Sequence, residues 1–245
     1  MDDEKVKQLR AEGNNGIAAL KRRLADRAGE HFNNALNLAD EIEDDRKRRD
    51  ELATLSALFQ QCGFPDLALM AAEEAVELDR LLGLKSFLGQ DIISVGNAHV
   101  SMENTQKAQA CFEEALGMFV EQGEWANAAS ANTNLAAIVA NAGEMPKAIT
   151  LLETSLRYIA KEPFDNTETQ TRFLLLQALE VTRSDVARAV ENAQPLVSRF
   201  LHEMPPDQRQ MTADFVAKLA ARYLEAHPQA NADAWKAATF PLLFR

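Results

Sequence analysis

The sequence predicts an all-α fold, a solenoid of stacked helical hairpins that ends in a helical cap. Composition gives the first indication, because 47% of the 245 residues are hydrophobic, only 7% are aromatic, and Gly and Pro number 10 and 8. An Ala- and Leu-rich sequence with so few of the Gly and Pro residues that favour turns is more typical of helices than of sheets. An internal repeat gives the second indication, since the sequence matches itself when it is shifted by 40 residues.

The repeat consists of equivalent positions that keep their size and chemistry from unit to unit. Positions 16, 56, 96, 136 and 176 form one such column, which is small in four of its five places. An Ala column and an aliphatic column follow, and they contain Ala28, Ala68, Ala108 and Ala148, and Leu36, Val76, Leu116, Leu156 and Leu196. A single hairpin cannot bury its apolar face alone, so we expect the units to stack around a continuous core.

Each unit is expected to contain two antiparallel helices joined by a short turn. Small residues such as Gly16 and Ala28 let the two helices approach closely, while Phe32 and its equivalents are expected to fill the space between neighbouring units. Gly63 and Gly143 occupy the turn position. Gly adopts a positive φ at little cost, so both are predicted to end a first helix.

The fifth unit departs from the pattern and is interpreted as a degenerate terminal repeat. Arg188, Asn192 and Pro195 stand where earlier units carry Ala, a bulky apolar residue and Ala. Pro195 removes a backbone donor and should kink or restart its helix. We therefore assign residues 1–200 to an array of about five hairpins with a 40-residue period, and residues 201–245 to a C-terminal cap.

The cap is predicted to hold two helices and an apolar tail. Asp207, which follows a Pro-Pro break, is a candidate N-cap for a helix over about 208–226, and a short helix is expected over about 232–238. One side of the longer helix is apolar and carries Met211, Phe215, Leu219 and Tyr223. The tail "FPLLFR" is too apolar to be free at low cost, so it either docks on the cap or contacts a partner.

The repeated segments resemble tetratricopeptide repeats (TPRs). The resemblance is carried by "NNGIAALKRRLADRAGEHFNNAL", "SVGNAHVSMENTQKAQACFEEAL" and "NLAAIVANAGEMPKAITLLETSL", and it covers roughly residues 5–200. The usual TPR period is about 34 residues. A period of 40 residues is similar to that of the long-repeat subgroup typified by kinesin light chains and Pins-like scaffolds. The resemblance implies a right-handed superhelix whose first helices line a concave groove for a protein or peptide.

One face of each first helix would then reach the ligand, and in this chain that face is rich in amides and hydroxyls. The candidate groove residues are Arg10, Asn14, Lys21, Gln61, Gln90, Asn97, Ser101, Asn134, Asn141 and Gln177. The same helical spacing also places Ala137, Leu174 and Val181 on this face. Amides and hydroxyls both donate and accept hydrogen bonds, which suits a peptide backbone. The alternative is that this polar face is merely solvated.

Charge and hydropathy exclude several kinds of partner. The formal net charge of −11 repels phosphate backbones, so we expect no nucleic acid ligand. No apolar run is long enough to span a membrane, and the charged start "MDDEKVKQLR" does not resemble a signal peptide. The two Cys do not form a disulfide framework, which favours a reducing compartment and a cytoplasmic location. The basic run 46–49 is flanked by acidic residues and is interpreted as a solvated helix surface.

Catalysis and metal binding find little support in the sequence. The four His lack metal-ligand spacing, and His99 shares a column with apolar residues, so we expect it to be packed between helices. Cys62 and Cys111 have no nearby His and are interpreted as structural. Trp125 is expected to be buried between units. We therefore predict no enzyme activity, no cofactor and no metal.

The sequence as a whole favours a non-catalytic adaptor or scaffold that binds a protein or peptide segment in its concave groove. One alternative is a self-assembling structural protein, in which the solenoid edge or the tail 239–245 forms homo-oligomers. Another is a peptide-sensing regulator, since some long-repeat TPR proteins sense short peptides in bacteria.

Overall fold

A computed structural model describes residues 2–163, 165–182, 186–200 and 205–240, and every regular element in these ranges is helical. The chain divides into two compact units, Met1–Gln122 and Gly123–Arg245. The first helices of successive hairpins begin at Asp45, Lys85, Trp125 and Asp165, which confirms the all-α fold and the 40-residue period.

The first unit consists of three helical hairpins. Each hairpin pairs a first helix with a second helix that packs antiparallel to it. The helices are α1 (Asp2–Lys21), α2 (Ala25–Asp40), α3 (Asp45–Cys62), α4 (Pro65–Leu82), α5 (Lys85–Ser101) and α6 (Thr105–Gln122).

The second unit contains one regular hairpin, the degenerate fifth hairpin and two C-terminal helices. Its helices are α7 (Trp125–Asn141), α8 (Met145–Ile159), α9 (Asp165–Val181), α10 (Val186–Pro195), α11 (Pro206–Ala226) and α12 (Ala232–Thr239). As predicted, α10 ends at Pro195, and the chain continues there as a π-helical turn, Leu196–Phe200. Asn192, at the bulky apolar position of the repeat, is buried and donates to the backbone oxygen of Arg172 at 2.7 Å.

The two helices of a hairpin fit together because a small residue on one faces a large residue on the other. A Cβ atom added to Gly96 would lie 2.6 Å from Cε1 of Phe112, and Gly16 faces the ring of Phe32 in the same way. Phe32 therefore packs inside its own hairpin, which was not predicted, in addition to its predicted packing between hairpins. Its ring also contacts Phe59 in the next hairpin, with a centroid distance of 5.1 Å.

The turns within hairpins use the left-handed backbone region throughout the described repeats. Gly63 and Gly143 have φ values of 78° and 85°, which confirms the prediction that they end first helices. Arg23 and Glu103, at the equivalent positions of the first and third hairpins, both have φ of 60°. Repeat geometry thus imposes this conformation even where the sequence supplies a side chain that disfavours it.

The C-terminal helices complete the core of the second unit. Helix α11 begins at Pro206 after Pro205, so Asp207 lies in its first turn and the predicted Asp207 cap is wrong. Its buried face comprises Thr212, Val216, Leu219 and Ala220, whereas Met211 is exposed. The buried face of α11 is therefore shifted by about one residue from the predicted apolar side. Val216 and Leu219 pack into the same core as Leu176 and Leu179 of α9.

The described part of the C-terminal tail is docked. Phe240 is fully buried in the core of the second unit and packs edge-on against Trp235, with a centroid distance of 5.8 Å. The rest of the predicted tail, 241–245, lies outside the described residues. The predicted boundary between array and cap at residue 200 stays a prediction. In the ranges described here, no helix combines the length and the apolar character that a membrane span requires.

Candidate functional site

In the first unit, the predicted groove residues are accessible along the first helices α1, α3 and α5. Six are exposed and Asn97 is half-buried. The exposed ones are Arg10, Asn14, Lys21, Gln61, Gln90 and Ser101. All seven could reach a ligand, but two are already engaged with the protein itself.

Arg10 and Ser101 are held by neighbouring first helices. The guanidinium of Arg10 donates to both carboxylate oxygens of Glu51, at 3.1 and 2.5 Å, and Glu51 is buried. The Ser101 hydroxyl accepts a hydrogen bond from Nε2 of Gln60 at 2.7 Å. Arg10 therefore neutralises a buried carboxylate, and its charge is less available to an acidic ligand.

In the second unit, the predicted face borders an open cavity of about 600 Å³. We call this cavity the second-unit groove, and helices α7, α8, α9 and α11 contribute its walls. Its lining side chains are mostly apolar, and they are Ala136, Ala137, Ala140, Asn141, Met145, Leu152, Leu174, Gln177, Ala178, Glu180, Val181, Phe215 and Lys218.

The second-unit groove brings together part of the predicted face and leaves part of it out. Asn141 and Gln177 line it, as do Ala137, Leu174 and Val181 from the same faces of α7 and α9. Asn134 is half-buried on α7 and is outside the lining.

Helix α11 supplies two lining residues that sequence reasoning missed, Phe215 and Lys218. The amphipathic pattern of this helix placed Phe215 on its apolar side. Where that side packs, however, depends on tertiary contacts that lie outside the repeat.

The second-unit groove has an apolar floor and a polar edge. Ala136 and Leu152 are almost fully buried at its base. The amides of Asn141 and Gln177 lie at the accessible edge. Such a concave apolar surface with a few polar groups is typical of sites that bind a side chain or a short segment.

A buried ionic cluster in the first unit was not predicted. Arg49 on α3 is only 5% exposed, so the interpretation of the run 46–49 as a solvated surface is wrong for this residue. Its guanidinium donates to Asp79 on α4 at 2.7 Å and to Asp91 on α5 at 2.5 Å, and it lies 4.4 Å from the ring centroid of Phe87. Asp79 and Asp91 are both buried, so one cation joins two carboxylates and three helices.

Asp79 and Asp91 share a single guanidinium, so ionising both carboxyl groups in this buried cluster is unfavourable. Burial, together with the neighbouring Asp79, raises the pKa of Asp91 from 3.8 to about 7, although Arg49 opposes the shift. Near neutral pH the native protein therefore retains a proton on Asp91 that the unfolded chain has released. It follows that Asp91 lowers the free energy of unfolding as the pH rises from about 4 to about 7.

We expect Asp91→Asn to remove this pH dependence. Asn keeps an oxygen that accepts from Arg49 and supplies an N–H that donates to Asp79, so it resembles protonated Asp91. The free energy of unfolding of the variant, relative to that of wild type, should therefore be higher at pH 8 than at pH 5.5. Urea unfolding at both pH values measures it. A difference that stays constant, or that favours wild type more at pH 8, contradicts the assignment of the proton to Asp91.

The remaining candidate reactive groups are packed or inert. His99 is 5% exposed, and burial lowers its pKa, which agrees with its predicted packing between helices. Burial raises the pKa of the Cys62 and Cys111 thiols, which favours the unreactive thiol form. Trp125 is half-buried at the start of α7 and stacks on Tyr158 of its own hairpin, and its burial between hairpins stays a prediction. The described residues form no group of three or more His, Cys, Asp or Glu that could hold a metal ion.

Comparison with known proteins supports the repeat architecture. Residues 89–204 match the family model of soluble NSF attachment protein, SNAP, a stretch that is less than half of the chain. No curated protein matches the sequence at a significant level.

Several solved structures share the fold. The apo form of RapI superposes with a TM-score of 0.68 and 16% identity, covering 94% of this chain and 64% of RapI, so the chain spans less than two thirds of that protein. A Rap protein complexed with Competence and Sporulation Factor superposes with a TM-score of 0.57 and 14% identity, covering 93% of this chain and 72% of the Rap protein. A kinesin light chain-like protein of Podospora anserina with nearly identical TPR-like repeats superposes with a TM-score of 0.54 and 14% identity. The match covers 89% of this chain and 96% of that protein.

These identities are low, so the similarities establish the fold alone. The chain has the helical-repeat fold of TPR proteins, and the predicted resemblance is confirmed at that level.

Proposed function

We propose that the protein is a non-catalytic adaptor that binds a protein or peptide segment, with the second-unit groove as its principal site. One observation carries the proposal. An open cavity of about 600 Å³ lies on the first-helix face of α7 and α9, with an apolar floor and amides at its edge. Its size suits one or a few side chains, and its amides suit the backbone that would connect them.

Binding of this kind needs no reacting group. Affinity would come from burial of an apolar anchor in the second-unit groove, and orientation would come from hydrogen bonds at the rim. A solved neighbour in complex with Competence and Sporulation Factor supports the proposal, since it is one case in which this fold holds a bound factor. A cytoplasmic location, with no nucleic acid partner, is part of the same proposal.

The first-helix face of the first unit is proposed as a second contact surface. Asn14, Lys21, Gln61, Gln90 and Asn97 remain accessible there. Self-assembly through the tail receives less support, because Phe240 is already buried in the protein's own core.

We expect that filling the second-unit groove weakens binding and that an equivalent substitution outside the groove does not. Peptides would be selected from a random library displayed on phage against the full chain, and their affinities measured by fluorescence anisotropy. Ala137→Arg places a long cationic side chain at the groove wall and should weaken the selected peptides at least tenfold, which corresponds to about 1.4 kcal/mol.

Thr150→Arg is the matched control, because Thr150 is exposed on the second helix α8 and is outside the groove lining. It should bind like wild type. Circular dichroism of both variants should match wild type, so that lost binding is not lost structure. If every selected peptide binds Ala137→Arg and wild type equally, the second-unit groove is not the site. Asn97→Arg examines the first-unit face in the same assay.

A further inference from the structure

We infer that the segment bound in the second-unit groove carries an acidic side chain beside a large apolar anchor, and that Lys218 selects it. This inference rests on the proposed function and adds the chemistry of the partner. It follows from the floor of the groove, from the charges at its rim, and from the position of Lys218 beside Phe215.

The floor of the second-unit groove is suited to one large apolar side chain. Small residues on α7 and α9, Ala136 and Ala178, leave space above the buried side chain of Leu152. Met145 and Leu174 are half-buried at the sides and offer apolar surface that a ligand would cover. Burying a Leu-sized or Phe-sized side chain here is the main source of favourable free energy.

The rim holds two charged residues, and one of them is already neutralised. Glu180 accepts a hydrogen bond from Nη1 of Arg222 at 3.2 Å, and the two side chains are 19% and 16% exposed. Lys218 differs, because none of the described residues supplies it with a carboxylate. The groove therefore presents one unneutralised positive charge to a ligand.

The ammonium of Lys218 lies beside an aromatic ring. Its Nζ lies 5.4 Å from the ring centroid of Phe215, one helical turn earlier on α11, and both residues line the groove. This contact positions the cation beside the apolar floor without neutralising it. A carboxylate next to the apolar anchor of a ligand can pair with it while the anchor is buried.

The charge of the whole chain makes this site distinctive. The formal net charge is −11, so the field of the chain as a whole disfavours an acidic segment and Lys218 provides a local attraction beside the apolar floor. Charge pairing at the rim governs selectivity more than total affinity. Lys218 is therefore the residue through which the groove distinguishes acidic from basic segments.

The test repeats the phage selection with full-length wild type, Lys218→Met and Lys218→Glu. Wild type should enrich peptides with Asp or Glu near a large apolar residue. Lys218→Met keeps the apolar stem and should retain the apolar preference without the acidic one. Lys218→Glu should bind the wild-type peptides about tenfold more weakly, and replacing their acidic residue with Lys should restore affinity.

The outcomes separate this inference from the proposed function. Groove-dependent peptides with no acidic preference overturn the inference and leave the adaptor proposal intact. An acidic preference that persists in Lys218→Met also overturns it, since another cation would then be responsible. Selected peptides that bind equally to Ala137→Arg and wild type overturn the second-unit groove as the principal binding site.

Discussion

Replacing Arg49 with Met is expected to lower the free energy of unfolding by about 3–5 kcal/mol. Met fills most of the volume of the Arg stem, so the loss comes from charge and not from a cavity. Asp79 and Asp91 would remain buried without the cation that joins them. The loss of stability reports the cost of that uncompensated charge. Urea unfolding at pH 8, monitored by circular dichroism, measures it.

Arg46→Met is the matched control for this change. Arg46 lies on the same helix, α3, but is exposed, so its replacement should alter the free energy of unfolding by no more than about 0.5 kcal/mol. Combining Arg49→Met with Asp91→Asn removes one of the two buried carboxyl groups that would lack Arg49, and should recover part of the loss. Equal, small effects of Arg49→Met and Arg46→Met would mean that the cluster is not buried as described.

Replacing Gly96 with Ala is expected to destabilise the protein by about 1–3 kcal/mol, although Ala is the better helix former. The new Cβ atom would lie 2.6 Å from Phe112, whose ring is 1% exposed and cannot move aside freely. Overpacking therefore outweighs the gain in helix propensity of about 1 kcal/mol. Urea unfolding measures the net effect.

Gly117→Ala provides a control of opposite sign. Gly117 is an exposed residue of α6 with no atom within 4 Å of an added Cβ, so the same substitution should stabilise by about 1 kcal/mol. The double variant Gly96→Ala, Phe112→Leu reproduces the natural pair Ala136 and Leu152 and should be more stable than Gly96→Ala alone. Stabilisation by Gly96→Ala would contradict the close approach of these helices.

Periodicity predicted the hairpins well because each repeat position has one local role. The left-handed turns at Gly63 and Gly143 and the end of α10 at Pro195 both follow from residues within a single hairpin. Pairing of buried polar side chains is different, since Arg49 reaches Asp79 on the other helix of its own hairpin and Asp91 in the next hairpin, 30 and 42 residues away. No pattern within α3 alone indicates that contact.

The repeat nevertheless contained a signal for the ionic cluster. Arg49 is equivalent to Leu9, Gly89 and Ala129, all of which are buried. Asp79 is likewise equivalent to the buried residues Ala39, Phe119 and Ile159. A charged residue in an apolar column predicts a buried ion pair, and comparing columns would have identified both residues.

The second-unit groove was only partly predictable, because one of its walls lies outside the repeat. The spacing on α7 and α9 placed Asn141 and Gln177 on one face, because that face follows from helical geometry. Phe215 and Lys218 come from α11, which lies outside the repeat pattern. Their contribution depends on how the terminal helices pack on α9, and periodicity carries no information about that packing.

The most direct test of binding in the second-unit groove is amide hydrogen exchange of the full chain with and without a phage-selected peptide. Binding in the groove predicts slower exchange in segments 136–141, 174–181 and 215–218, with no change over 25–40 in α2, which contributes no residue to the groove. Protection confined to α2, or to other segments that do not line the groove, would contradict binding at this site.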